Sequence, residues 1–120
     1  MPQIILEYSA NFKDIDYKKL FSEIYAVINK LPAMGTCKMR AIVQENYYIG
    51  SENGENAFAY LKIAMKPKKE RTEKFREKLA KDLIPILKKY LDPIKNKQKI
   101  KCYPTVEVGL LSDQYYWIEE

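Results

Sequence analysis

The chain has 120 residues, of which 47% are hydrophobic and 31% charged, a composition typical of one globular domain over residues 1–120. It contains no histidine, which excludes Ser-His and Cys-His nucleophile pairs, imidazole acid–base catalysis and histidine-ligated zinc. The net charge of +5 predicts affinity for anions, with nucleic acid and a small carboxylate equally open at this point.

The first half of the chain predicts a strand, a helix and two further strands. The apolar run at 3–8 indicates a strand with apolar residues on both faces. Apolar residues recur at helical spacing over 17–31 and predict an amphipathic helix, for which Asp16 is a suitable N-cap. Residues 38–48 and 57–65 are predicted to form the second and third strands.

A second helix is predicted after the third strand. Thr72 is a suitable cap, and the apolar stripe of the helix extends over 75–91. Pro85 lies inside this stripe and is expected to bend the helix without dividing it. Residues 92–93 (Asp-Pro) are predicted to end the helix, which makes 94–101 a lysine-rich connector.

The last part of the chain completes a recognisable topology. Residues 102–110 are predicted as a fourth strand, and 115–118 as a short terminal strand. The order β-α-β-β-α-β contains two βαβ units, whose right-handed crossovers place both helices on one face of a four-stranded mixed sheet. The opposite face is left bare. Because the strands at 3–8 and 57–65 are apolar on both faces, this α+β fold predicts self-association.

Cysteine content and hydropathy indicate the cellular location to expect for the protein. Cys37 and Cys102 are too few for a disulfide framework and are interpreted as reduced strand residues without a catalytic role. No apolar run approaches the ~20 residues of a membrane span, and the N-terminus lacks the pattern of a secretory signal. A cytoplasmic location, no membrane partner and no metal are therefore expected.

Four short motifs resemble one protein family. Residues 1–9, 20–21, 57–59 and 71–73 resemble, in this order, features of the 5-carboxymethyl-2-hydroxymuconate delta-isomerase family of the tautomerase superfamily. The resemblance covers most of the chain. It implies a tautomerase-type β-α-β-β-α-β subunit, no cofactor, and a homotrimer in which three sheets face inward and cover the bare face.

Pro2 is the predicted catalytic residue. Methionine is normally removed before a small residue, which would leave Pro2 with a free secondary amine. An α-amino group titrates near ~8, and burial or nearby cations shift its pKa towards the neutral range where a general base works best. The resemblance implies that this amine is the base. The alternative interpretation makes Pro2 a rigid first residue of the strand.

Lys38 and Arg40 are predicted to bind a substrate carboxylate. They lie two residues apart on a strand and therefore share one face. Arginine can bind a carboxylate through two hydrogen bonds. The family has an Ile-Arg-Ser-Arg stretch here, and Lys38 replaces its first arginine, which keeps the charge but loses the planar fork. Two solvated cations at a sheet edge are the alternative.

Arg71 is the third predicted anion-binding residue. It precedes the capping Thr72, and the start of a helix favours anions. The family has an active-site arginine before this helix, and Lys69 matches that position if the loop is aligned without a gap. The other cations between Lys66 and Arg76 are interpreted as a solvated surface.

The resemblance implies an isomerase that converts an unsaturated 2-hydroxy (enol) di- or tricarboxylate to its oxo isomer in homoprotocatechuate (aromatic compound) catabolism. Its partners would be the small-molecule carboxylate and further copies of the chain. One alternative is a ferredoxin-like nucleic-acid-binding module, suggested by the basic segments 66–76 and 95–101 but disfavoured by the acidic residues among their cations. Another is a tautomerase-fold protein without the cognate activity.

Overall fold

The computed structural model describes residues 2–32, 34–112, 114 and 116. Its elements, in chain order, are β1 (Gln3–Ser9), α1 (Tyr17–Ile28), β2 (Lys38–Gln44), β3 (Ala59–Met65), α2 (Glu73–Gln98) and β4 (Thr105–Leu110). The predicted β-α-β-β-α-β order is confirmed. Within the described ranges, no helix combines the length and apolar character that crossing a membrane requires.

The four strands form one mixed sheet in the order β2-β1-β3-β4. β1 and β2 are parallel, β1 and β3 are antiparallel, and β3 and β4 are parallel. Each parallel pair is joined through a helix, as parallel neighbours require. The central strands β1 and β3 are antiparallel neighbours, so the start of β1 lies beside the end of β3.

The core lies between one face of this sheet and the apolar stripes of the helices. Ile4 and Leu6 of β1 and Leu61 and Ile63 of β3 are fully buried. The buried helical residues are Leu20, Ile24 and Ile28 of α1 and Leu79, Leu83, Leu87 and Leu91 of α2. Burial of each such side chain stabilises the fold by about 1.5–3 kcal/mol. The stripes predicted from helical spacing are confirmed.

Both predicted N-caps are confirmed. The Asp16 side chain accepts a hydrogen bond from the backbone N–H of Lys19 at 3.1 Å, and Thr72 Oγ1 accepts one from Phe75 at 3.2 Å. Each cap satisfies a backbone donor that the helix leaves without an intrahelical partner, which is typically worth ~1 kcal/mol. These two residues therefore fix where each crossover helix begins.

The predicted end of α2 was wrong. The helix continues through Pro93 to Gln98, and Lys99 ends it in a left-handed conformation with its N–H bonded to the Lys95 carbonyl. Residues 94–98 are therefore helical and not part of a connector. Ile94 packs against the core and extends the apolar stripe by another turn, and this burial offsets the hydrogen bond that Pro93 removes.

Three predicted strands were too long. β2 ends at Gln44, β3 begins at Ala59, and β4 begins after Pro104, which has no N–H to donate to a neighbouring strand. Of the predicted terminal strand at 115–118, only Tyr116 lies within the described residues, and it is in no strand.

The buried stripe of α2 can be tested with two similar truncations. Leu87→Ala should lower the free energy of unfolding by about 2–5 kcal/mol, because Leu87 is 1% exposed. Ile84→Ala removes a side chain of the same size from the same helix at a position that is 39% exposed, and should cost less than half as much. Urea denaturation measures both, and equal losses would contradict the orientation of α2.

Candidate active site

The helices leave the opposite face of the sheet uncovered. Alternation along the strands puts Gln3, Ile5 and Glu7 of β1 on this open face, and their register partners share it. The residues that accompany them are Lys38, Arg40 and Ile42 of β2, Tyr60, Lys62 and Ala64 of β3, and Thr105, Glu107 and Gly109 of β4. Because strongly charged residues lie among the apolar ones, the predicted bare apolar face is in fact a mixed, charged face.

A cavity of about 590 Å³ occupies the part of the open face where β1 begins. It is lined by Gln3, Ile5, Lys38, Arg40, Lys62, Ala64 and Leu111. Three of these residues carry a positive charge and none carries a carboxylate. A concave surface with one sign of charge concentrates small ligands of the opposite sign. The cavity therefore has the electrostatic character of an anion site.

Gln3 orients one of the cations. Arg40 Nη1 donates a hydrogen bond to Gln3 Oε1 at 2.8 Å, which holds the guanidinium over the start of β1. Among the described residues, neither Arg40 nor Lys38 forms an ion pair. Their charges are therefore available to a ligand, and the guanidinium keeps donors for a bidentate contact with a carboxylate.

Pro2 lies at the same end of the sheet. It directly precedes β1 and is buried. Its carbonyl oxygen accepts a hydrogen bond from the backbone N–H of Lys38 at 3.0 Å. The first residue of the predicted mature chain is thus tied to the strand that supplies two of the cavity's cations.

Arg71 is buried near the start of β2, outside the cavity lining. It is 4% exposed, and its Nη1 donates to the Lys66 carbonyl at 2.6 Å. Burial lowers the pKa of Arg71, while the nearby Glu70 and Cys37 raise it. Burial also raises the pKa of the Cys37 thiol, and the charge of Arg71 opposes that increase. Arg71 is thus electrostatically coupled to the residue that precedes Lys38.

The predicted site residues therefore fall into two groups. Lys38 and Arg40 line the cavity, and Pro2 directly precedes the lining residue Gln3 without lining the cavity itself. Arg71 lies close to Cys37 at the same end of the sheet, and Lys69 is exposed in the loop before α2 without lining the cavity. The interpretation of the other cations between Lys66 and Arg76 as a solvated surface holds for the exposed Lys68 and Lys74, whereas Lys66 and Arg76 are half-buried.

Lys62 is the cavity residue that the sequence interpretation missed. The sequence pattern predicts a strand over 57–65 that is apolar on both faces, and this prediction gives its one lysine no role in the site. Strict alternation from the buried Leu61 and Ile63 places Lys62 on the open face. The register then sets it opposite Ile5, whose other neighbour is Arg40. This pairing does not follow from the spacing of residues in the sequence.

The basic surface of α2 differs from a phosphate-binding stripe. Lys78 forms an ion pair with Asp82 at 2.8 Å, and Lys81 forms one with Glu77 at 2.9 Å. Both are helix pairs four residues apart. Both pairs lie outside the basic segments 66–76 and 95–101 that suggested nucleic-acid binding. Within the second segment, Lys95 lies 3.6 Å from Asp92, so this cation is also paired with a carboxylate.

Solved structures with the same fold are known. One is the crystal structure of a 5-carboxymethyl-2-hydroxymuconate isomerase from Deinococcus radiodurans R1, with a TM-score of 0.80 and 19% identity over 98% of this chain and 88% of the other. A 5-carboxymethyl-2-hydroxymuconate delta-isomerase superposes with a TM-score of 0.77 and 16% identity over 100% and 89%. A macrophage migration inhibitory factor-like protein from Entamoeba histolytica superposes with a TM-score of 0.62 and 12% identity over 98% of this chain and 95% of the other.

These likenesses show that the chain has the tautomerase fold. A search of curated proteins gave no significant match. A family model described as 5-carboxymethyl-2-hydroxymuconate isomerase matches residues 2–117, nearly the whole chain. The chain therefore belongs to the 5-carboxymethyl-2-hydroxymuconate isomerase family.

Proposed function

We propose that this isomerase converts an unsaturated 2-hydroxy di- or tricarboxylate to its oxo isomer without a cofactor, with the Pro2 amine as general base. The observation that carries the proposal is the position of Pro2 beside a cavity with three cations and no lining carboxylate. A substrate with several carboxylates would be drawn to that cavity, and its reacting atoms would lie near the start of β1.

The proposed reaction moves one proton. The neutral Pro2 amine takes the proton from the 2-hydroxyl group, the O–H electrons form the carbonyl, and the conjugated double bonds shift. The resulting ammonium returns the proton to a distant carbon of the same system, so atoms and electrons balance. Lys38 or Arg40, with Arg71, would stabilise the negative charge that develops on the oxygen and the carboxylates.

The environment suits a neutral amine. An ordinary α-amino group titrates near ~8, and both burial and nearby positive charge disfavour its ammonium form. Pro2 is buried and lies next to Lys38. Once Met1 is removed, both influences would act in the same direction and favour the unprotonated amine.

We also propose that three copies of the chain assemble through their open faces. Ile5 is half-buried and Ile42 is 38% exposed on a face that no other element within the described residues covers. The homotrimer implied by the family resemblance would cover these residues. A cytoplasmic location and a role in the breakdown of homoprotocatechuate are parts of the same proposal and rest on the resemblance alone.

The assembly is tested by mass in solution. Size-exclusion chromatography with light scattering should give three times the 14.2 kDa of one chain. Ile42→Glu, which puts a carboxylate on the open face at the edge strand, should shift the mass towards that of one chain. A stable monomer for the unmodified protein would contradict the proposed trimer.

The role of Pro2 is tested by replacing it. With 5-carboxymethyl-2-hydroxymuconate as substrate, Pro2→Ala replaces the secondary amine with a primary one and should lower kcat while KM changes little. A chain that retains Met1 has no amine at this position and should lose about 10²–10⁴-fold in kcat, the usual contribution of a positioned general base. Pro85→Ala, at an exposed position on α2, is the matched control and should keep full activity. The acid limb of the wild-type pH–rate profile should report a pKa below ~8.

The intact mass of each protein preparation must be measured alongside these assays to show whether Met1 has been removed. An active preparation that retains Met1 would eliminate the amine as base, since the Pro2 nitrogen would be a peptide nitrogen. Full activity in a correctly processed Pro2→Ala chain would reject a role for the proline ring, because that variant still carries a primary amine at its N-terminus.

Paired substitutions distinguish the proposed role of Arg71 from that of Lys69. Arg71→Met should lower kcat/KM and also the free energy of unfolding by about 1–3 kcal/mol, because the buried Lys66 contact loses its donor. Lys69→Met should leave both quantities nearly unchanged, since Lys69 is exposed. Substrate turnover and urea denaturation measure the two effects. A larger loss of kcat/KM in Lys69→Met would transfer the proposed role to that residue.

A further inference from the structure

Lys62 and Arg40 flank one apolar residue of the cavity. Both are register partners of Ile5, Arg40 on β2 and Lys62 on β3. Neighbouring strands lie about 4.8 Å apart, so the backbones that carry the two cations are separated by roughly 10 Å across Ile5. Together with Lys38 on β2, this arrangement suits a ligand with two carboxylates towards β2 and a third towards β3.

Lys62 forms only a weak contact with another side chain. Its Nζ lies 3.9 Å from Glu107 Oε2, outside hydrogen-bonding distance, and both side chains are about half exposed. Exposed ion pairs of this kind contribute little to stability. Turning Lys62 from Glu107 towards a bound anion would therefore cost little.

Glu107 has a second partner that remains when Lys62 leaves. Its Oε2 accepts a hydrogen bond from the Tyr60 hydroxyl. This bond, together with burial and the charge of Glu107, raises the pKa of Tyr60 to about 12. The phenol therefore stays protonated and keeps donating at neutral pH. The Glu107 carboxylate is not left without a donor when Lys62 is engaged elsewhere.

We infer that Lys62 binds the third carboxylate of the substrate and makes the cavity selective for tricarboxylates over dicarboxylates. Lys38 and Arg40 hold two carboxylates at one side of Ile5, and Lys62 holds the remaining one at the other side. Glu107 competes with the substrate carboxylate for Lys62. The inference rests on the proposed function for the identity of the substrate, while its test needs no turnover.

The test compares two unreactive probes by isothermal titration calorimetry. Tricarballylate carries three carboxylates and glutarate carries two. The correctly processed wild-type protein should bind tricarballylate at least tenfold more tightly than glutarate. Lys62→Met should lower the affinity for tricarballylate by about tenfold and change the affinity for glutarate by less than about twofold. Lys62→Arg should keep the preference for tricarballylate because it keeps the positive charge.

Two further variants separate a specific contact from general electrostatics. Glu107→Gln removes the competing carboxylate and should tighten tricarballylate binding a few-fold. Lys78→Met removes the same charge from the exposed side of α2, where Lys78 pairs with Asp82, and should change neither affinity. Circular dichroism of each variant should match the wild type, since Lys62, Glu107 and Lys78 are exposed in the single chain. Light scattering of each variant should also give the wild-type mass, because Lys62 and Glu107 lie on the face proposed for assembly.

The inference is overturned if the wild type shows no preference for tricarballylate. It is also overturned if Lys62→Met lowers the affinity for both probes equally or leaves both affinities unchanged. These outcomes are separate from the proposed chemistry. A Lys62-dependent preference in a protein that stays fully active with Met1 retained would support the binding site and reject the proline base.

Discussion

Both helices cover the same face of the sheet, and the position of the cavity depends on this arrangement. Two right-handed crossovers place α1 and α2 on the same face, and the buried residues of β1 and β3 alternate with residues that no helix covers. Only on that open face can charged side chains lie close together without the cost of burying them. The cationic cavity is thus a direct consequence of the topology.

Topology also brings the start of the chain to this cavity. β1 is a central strand, and its first residues lie between the start of β2 and the end of β3. A residue just before β1 is therefore surrounded on both sides and becomes buried, as Pro2 is. An amine at this position would lie in a partly dehydrated, positively charged environment, which is what a neutral general base requires. In this account, the chemistry depends on where β1 lies in the sheet.

Much of the fold followed from local patterns in the sequence. The caps at Asp16 and Thr72 and the helical stripes depend on neighbours a few residues away, which a single sequence displays. The end of α2 depended on whether burial of Ile94 outweighs Pro93, and the sequence alone did not reveal that balance. The site was harder to predict, because the position of Lys62 opposite Ile5 depends on strand register. The family resemblance supplied Pro2 and Arg71, and neither role follows from spacing alone.

The most direct measurement concerns the amine and the cavity together. Nuclear magnetic resonance of the protein labelled with ¹⁵N-proline follows the protonation of the Pro2 nitrogen. If the amine and the three cations form one site, saturating tricarballylate should raise the amine's apparent pKa, because a bound anion favours the ammonium form. An unchanged pKa with the ligand bound, or a nitrogen that never titrates, would contradict the account.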